Sequence, residues 1–175
     1  SKRLAGRVER SAQLEAAVAV AKNNIAMLIA HGPAAMMEVE QGIPGFHTAK
    51  VVSIAIGMTG LTSNLVAGVH QLAVAHMFHD GVASLYHDSR TKYLHGEVVS
   101  VGILLQMASN GYDIEYIDRV RQFLMEIKAP VCMSQLEIEP SQENRDILFD
   151  YIVSKGFDQP DMKRAIYDAF DTILK

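Results

Sequence analysis

The sequence predicts an all-α protein. Three observations carry this. Apolar residues recur at helical spacing through most of the chain, helix-stop signals punctuate it at helix-length intervals, and β-branched runs are short. Val51 to Ile56 is the most strand-like stretch, yet it sits inside a longer run whose ends suit a helix.

Taken in order, Ser11 is placed to cap a first helix running to about His31, closed by Gly32-Pro33, a flexible residue followed by a helix breaker. A short helical piece, Ala34 to Gln41, ends at Gly42, and Ile43-Pro44-Gly45 is a loop. A third helix covers His47 to Met58. Ser63 or Asn64 caps a fourth, Leu65 to about Phe78, which stops near Asp80-Gly81. The polar stretch Tyr86 to Tyr93 reads as a loop. The fifth helix runs from about Gly96 to Ser109 and is ended by Asn110-Gly111.

That fifth helix is apolar on nearly every face, through Val98, Val99, Val101, Ile103, Leu104, Leu105 and Met107. It therefore belongs at the centre of a bundle. Asp113 caps a sixth helix that stops before Ala129-Pro130, because a residue preceding proline is pushed out of helical geometry. Ser141, with Asn144 nearby, opens a seventh over Glu143 to Ser154, and Asp161 opens the last, Met162 to Leu174. With no internal repeat, low-complexity tract or linker, residues 1–175 read as a single helical domain.

Composition narrows the functional classes. The chain is 49% hydrophobic and 21% charged, the balance of a folded soluble protein. Net charge is −4 and there is no basic stripe, which argues against a nucleic-acid groove or an anionic membrane surface. The apolar run Leu14 to Ala30 is broken by Glu15, Lys22, Asn23 and Asn24, so it reads as a buried helix and not a membrane span. Cys132 is the only cysteine, which excludes an internal disulfide and points to a reducing, cytoplasmic setting. It lies in an apolar run and reads as packing, as the nine methionines read as core filling. The opening Ser1-Lys2-Arg3, without Met, fits a processed chain or an excised segment.

Chemistry concentrates in the histidines. Five of the seven (His70, His76, His79, His87 and His95) fall in one stretch, and neutral imidazole is a common ligand of zinc and iron. His76 and His79 are three apart and so leave a helix on the same face. His95 stands just before Gly96 at the start of the central helix, so the two helices form two walls of one site. His31 and His47 lie near loop glycines with no nearby partner and read as structural or solvated, His70 reads as structural, and His87 is open to either reading. Among catalytic motifs there is no Gly-x-Gly-x-x-Gly after a strand, no Cys-x-x-Cys, no nucleophile elbow and no Walker loop. Gly57-Met58-Thr59-Gly60 sits in helical context.

The run Ala75-His76-Met77-Phe78-His79-Asp80-Gly81, followed by His95-Gly96-Glu97-Val98-Val99-Ser100-Val101-Gly102, resembles a family signature. The family is the glycerol dehydrogenase branch of the metal-dependent, iron-containing alcohol dehydrogenases. Its pattern is Ala-His-x-x-His-Asn-Gly and then His-Gly-Glu-x-Val-x-x-Gly. Ala129-Pro130, with Leu136 beyond it, is similar to the family's Leu-Pro-x-x-x-x-x-Leu segment. The His-Gly-Glu element alone is shared with dehydroquinate synthases.

The resemblance implies the C-terminal helical domain of such an enzyme, with the N-terminal nucleotide-binding domain absent. It makes His76 and His95 ligands of a catalytic zinc or iron, with His79 a catalytic residue beside the metal, near nicotinamide and substrate. The implied reaction is oxidation of a small polyol or secondary alcohol. The metal acts as a Lewis acid on the hydroxyl oxygen, and hydride passes to NAD bound by the missing domain. Partners would then be a nucleotide-binding domain or further copies of the chain.

Three departures accompany the likeness. The family's third ligand, an aspartate, comes from a position upstream of the matched residues, leaving Asp80, Asp88 and Glu97 as nearby carboxylates. Asp80 also stands where the family has Asn, and the nucleotide-binding half is missing. Two other readings accompany the main one: a non-enzymatic helical interaction module derived from this fold, and a dehydroquinate synthase-like domain.

Overall fold

Burial of apolar helix faces organises the chain. The computed structural model describes residues 12–66 and 73–174, and every regular element among them is helical, as the sequence predicts. The described residues divide into two compact units, 12–66 and 73–174.

In the first unit, α1 (Ala12–Glu40) packs against α2 (Phe46–Ser53), a π-helical turn (Ile54–Met58) and α3 (Thr59–Leu65). The expected stop at Gly32-Pro33 does not occur, and α1 runs through both residues. Gly32 and Ala35 are buried there, so packing of this helix outweighs the local penalty of an interior proline, about 3 kcal/mol. Ser63 and Asn64 lie inside α3 instead of capping a new helix. Of the helix expected over Leu65–Phe78, residues 67–72, with His70, lie outside the described residues, and its last part falls in a helix that starts at Val74.

Glu38 fastens the entry to α2. Gly45, at the N-cap position, has no side chain to cap the helix. The Glu38 carboxylate instead accepts hydrogen bonds from the backbone N–H groups of Gly45 (3.0 Å), His47 (3.2 Å) and Thr48 (2.8 Å), and from Thr48 Oγ1 (2.7 Å). A negative charge at a helix N-terminus is favourable, and the Thr48 hydroxyl with these amides holds the carboxyl at a pKa of about 2.

The same turn corrects the reading of His31 and His47 as partnerless. Their Nδ1 atoms lie 2.9 Å apart, and the Phe46 ring meets both imidazoles edge-on. They sit on different helices, so sequence separation concealed the pair. The run Leu14 to Ala30 is also less buried than expected. Ala17 and Asn24 are its buried residues, while Val18, Ile25 and Ile29 are exposed along with Ile43, Phe46 and Ile56. Residues 12–66 thus present much apolar surface.

The second unit contains α4 (Val74–Leu85), α5 (His87–Lys92), α6 (His95–Ser109), α7 (Ile114–Glu126), α8 (Gln142–Ser154) and α9 (Pro160–Ala169), with 3-10 turns at Met133–Leu136 and Phe170–Thr172. As expected, α6 is central: it packs against α4, α7 and α9, burying Val98, Val101, Leu104 and Leu105. Phe78, Leu136, Leu148, Ile152 and Phe170 complete the core around it.

Three boundaries differ from the sequence reading, and one cap keeps its position without its bond. Asp80-Gly81 does not end α4, because Gly81 is a packing glycine; a Cβ there would stand 3.1 Å from both Leu148 and Tyr151 of α8. The stretch read as a loop holds α5, pinned where Ser89 Oγ donates to Leu136 O at 2.7 Å. Asp113 occupies the cap position of α7 without a side-chain bond. The last helix starts at Pro160, favoured at a first helical position, ahead of Asp161. Ser141 does cap α8, accepting from the Asn144 N–H at 3.3 Å. Cys132 and Met133 are buried as packing residues, whereas Met37 and Met125 are exposed and fill no core.

Candidate metal centre

The site is set by how α4 crosses α6. At Gly102 a Cβ would fall 2.6 Å from Ala75 O, so the two backbones nearly touch. One turn further along α6, Gln106 Oε1 accepts the Ala75 N–H at 3.1 Å, satisfying one of the free donors at the start of α4. From this anchor the helices run in opposite directions. The residues following Ala75 on α4 therefore face those preceding Gly102 on α6, and His76 and His79 arrive beside His95.

The His76 and His95 rings lie 5.7 Å apart between centroids, and those of His79 and His95 4.2 Å apart. His79 Nε2 is 3.1 Å from His95 Nδ1, and its Nδ1 is 2.9 Å from Asp80 Oδ1. All three histidines thus gather at one place. Partial loss of water, and then the neighbouring His79 and His76 rings, push the His95 imidazole below the ordinary histidine pKa, while Asp80 pulls weakly the other way. The neutral ring, with its lone pair free, is the form that binds metal. Gly96 has open space around it, so packing within the described residues does not demand glycine there.

The nearby carboxylates have other work. Glu97 accepts the Leu94 N–H at 2.7 Å and caps α6; Asp80 bonds His79; Asp88 is exposed in α5, as is His87. Among the described residues, no group of three or more His, Cys, Asp or Glu side chains converges as a metal cage. The donors therefore suit zinc or iron in kind, being imidazoles, and fall short in number, since a catalytic zinc takes about three protein ligands. Sequence reasoning missed the Asp80–His79 bond and the Gln106 clamp. Adjacency signalled the first; the second depends on a helix crossing that spacing does not reveal.

The helical arrangement is shared with solved glycerol dehydrogenases. The chain is similar to a probable glycerol dehydrogenase from Sinorhizobium meliloti 1021, with a TM-score of 0.74 and 20% identity, over 90% of this chain and 45% of that one. It is also similar to glycerol dehydrogenase from Schizosaccharomyces pombe, with a TM-score of 0.72 and 20% identity, over 89% of this chain and 40% of that one. The chain thus spans less than half the length of the structures it matches. No family model and no curated protein matches it. No helix among the described residues is long and apolar enough to cross a membrane.

Proposed function

We propose that this chain is the metal-binding catalytic half of an NAD-dependent polyol, glycerol-like, or alcohol dehydrogenase, inactive without a nucleotide-binding domain. The observation that carries the reading is the meeting of His76 from α4 and His95 from α6, 5.7 Å between ring centroids, in a fold shared with glycerol dehydrogenases. His76 and His95 hold the metal and His79 flanks the substrate. A divalent zinc or iron supplies Lewis acidity at an alcohol oxygen. The remaining ligand and the NAD site come from residues outside those described.

The exposed Ile25, Ile29, Phe46 and Ile56 support association, either with a nucleotide-binding domain or with further copies of the chain. A single, buried cysteine suits a cytoplasmic setting.

Elemental analysis tests the metal assignment. Near-stoichiometric zinc or iron is expected in the chain purified without chelator, and its loss in the His76→Ala, His95→Ala double variant. Absence of metal from both proteins, or equal metal in both, refutes the assignment.

A further inference from the structure

We infer that Asp80 is a positioning residue: through His79 it fixes the tautomers of two successive imidazoles, so that His95 presents Nε2 as its bare, ligand-ready nitrogen. An ionised Asp is acceptor-only, so at 2.9 Å from Oδ1 the proton of a neutral His79 ring must sit on Nδ1. His79 Nε2 is then a lone pair. His95 Nδ1 lies 3.1 Å from it, and two bare nitrogens at that distance would repel, so His95 Nδ1 carries the proton and donates. The remaining nitrogen of His95, Nε2, is bare.

Two hydrogen bonds thus relay one carboxylate's preference across two rings without either ring changing charge. A metal-ligating histidine is commonly oriented through its other nitrogen by a carboxylate. Here that orientation reaches His95 through a second histidine. Asp80 is half-exposed and outside the packed core, so its replacement leaves the helix crossing in place.

The tautomer assignment stands on hydrogen-bond geometry; its consequence for metal rests on the function proposed above. Long-range 15N–1H correlation spectra of the chelator-treated chain separate protonated from bare ring nitrogens. They are recorded at about pH 8, above the ordinary imidazole range. Wild type is expected to show protonated Nδ1 and bare Nε2 on both His79 and His95.

Asp80→Ala should return His79 to the Nε2–H form that free imidazole favours. His95 Nδ1 then becomes the acceptor and His95 Nε2 is protonated. Asp80→Asn, whose amide oxygen still accepts, should restore the wild-type pattern and serves as the control for folding. In zinc titrations Asp80→Ala should bind about tenfold more weakly, while Asp80→Asn stays near wild type.

A bare Nδ1 on His79 in wild type, or an Asp80→Ala pattern identical to wild type, overturns the assignment. Switched tautomers with unchanged zinc affinity overturn the claim that Asp80 prepares the ligand atom. Correct tautomers in a wild-type chain that binds no zinc refute the metal-binding function and leave the tautomer assignment standing.

Discussion

Gly102 and Ala75 meet backbone to backbone: a Cβ on Gly102 would lie 2.6 Å from the Ala75 carbonyl oxygen and 2.8 Å from its Cα. Backbone cannot retreat as a flexible side chain can, so any larger residue at 102 must push α4 away from α6. That crossing also delivers His76 and His79 to His95. Gly102→Ala is expected to cost about 1–3 kcal/mol in urea denaturation. It should weaken zinc binding at the same time, because the imidazoles ride on the displaced helix. A variant with wild-type stability and zinc affinity would show that the crossing is not tight.

Glu38 gives a pH dependence with a definite sign. Its folded pKa, about 2, lies below the ordinary 4.5, so the carboxylate contributes stability above the ordinary value. That contribution is lost as pH falls from about 4.5 towards 2. The protection of the Gly45, His47 and Thr48 N–H groups, their exchange taken relative to the intrinsic rate at each pH, should fall over that window, and Glu38→Gln should abolish the change. Protection that stays constant there in wild type contradicts the assigned bonds.

Arg145 anchors the C-terminal turn. Its guanidinium is buried, donating to Tyr167 O at 2.6 Å and to Asp171 Oδ1 at 2.9 Å, over the Tyr167 ring. Removing it takes away one donor to the Tyr167 carbonyl, which keeps the Phe170 N–H, and empties a packed position, so Arg145→Ala should cost about 2–3 kcal/mol. Asp171 is 73% exposed, and its half of the ion pair is screened by water. Asp171→Asn should therefore cost under about 1 kcal/mol. Equal losses in urea melts of the two variants would place the energy in the ion pair instead.

What the sequence disclosed follows physical lines. The central helix was legible because an all-round apolar pattern from Val98 to Leu105 fits a surface position poorly. The Ser141 cap was legible because capping is local. Asp80-Gly81 misled because a glycine that ends a helix and a glycine that lets two helices touch look the same until the neighbour is known, and Gly32-Pro33 misled because the burial of Gly32 and Ala35 in α1 is a tertiary property. The histidine pair on α4 was readable from three-residue spacing. His31 with His47, the Gln106 clamp and the relay through Asp80 depend on which helices or rings meet, and periodicity carries no record of that.

In the proposed function His76 and His95 hold a divalent metal. Anomalous diffraction from crystals of the chain grown with zinc tests it most directly. A peak is expected at about 2.1 Å from a ring nitrogen of each residue, and from Nε2 in the case of His95. Zinc bound at the His31–His47 pair alone, or no ordered zinc beside His76 and His95, would contradict it.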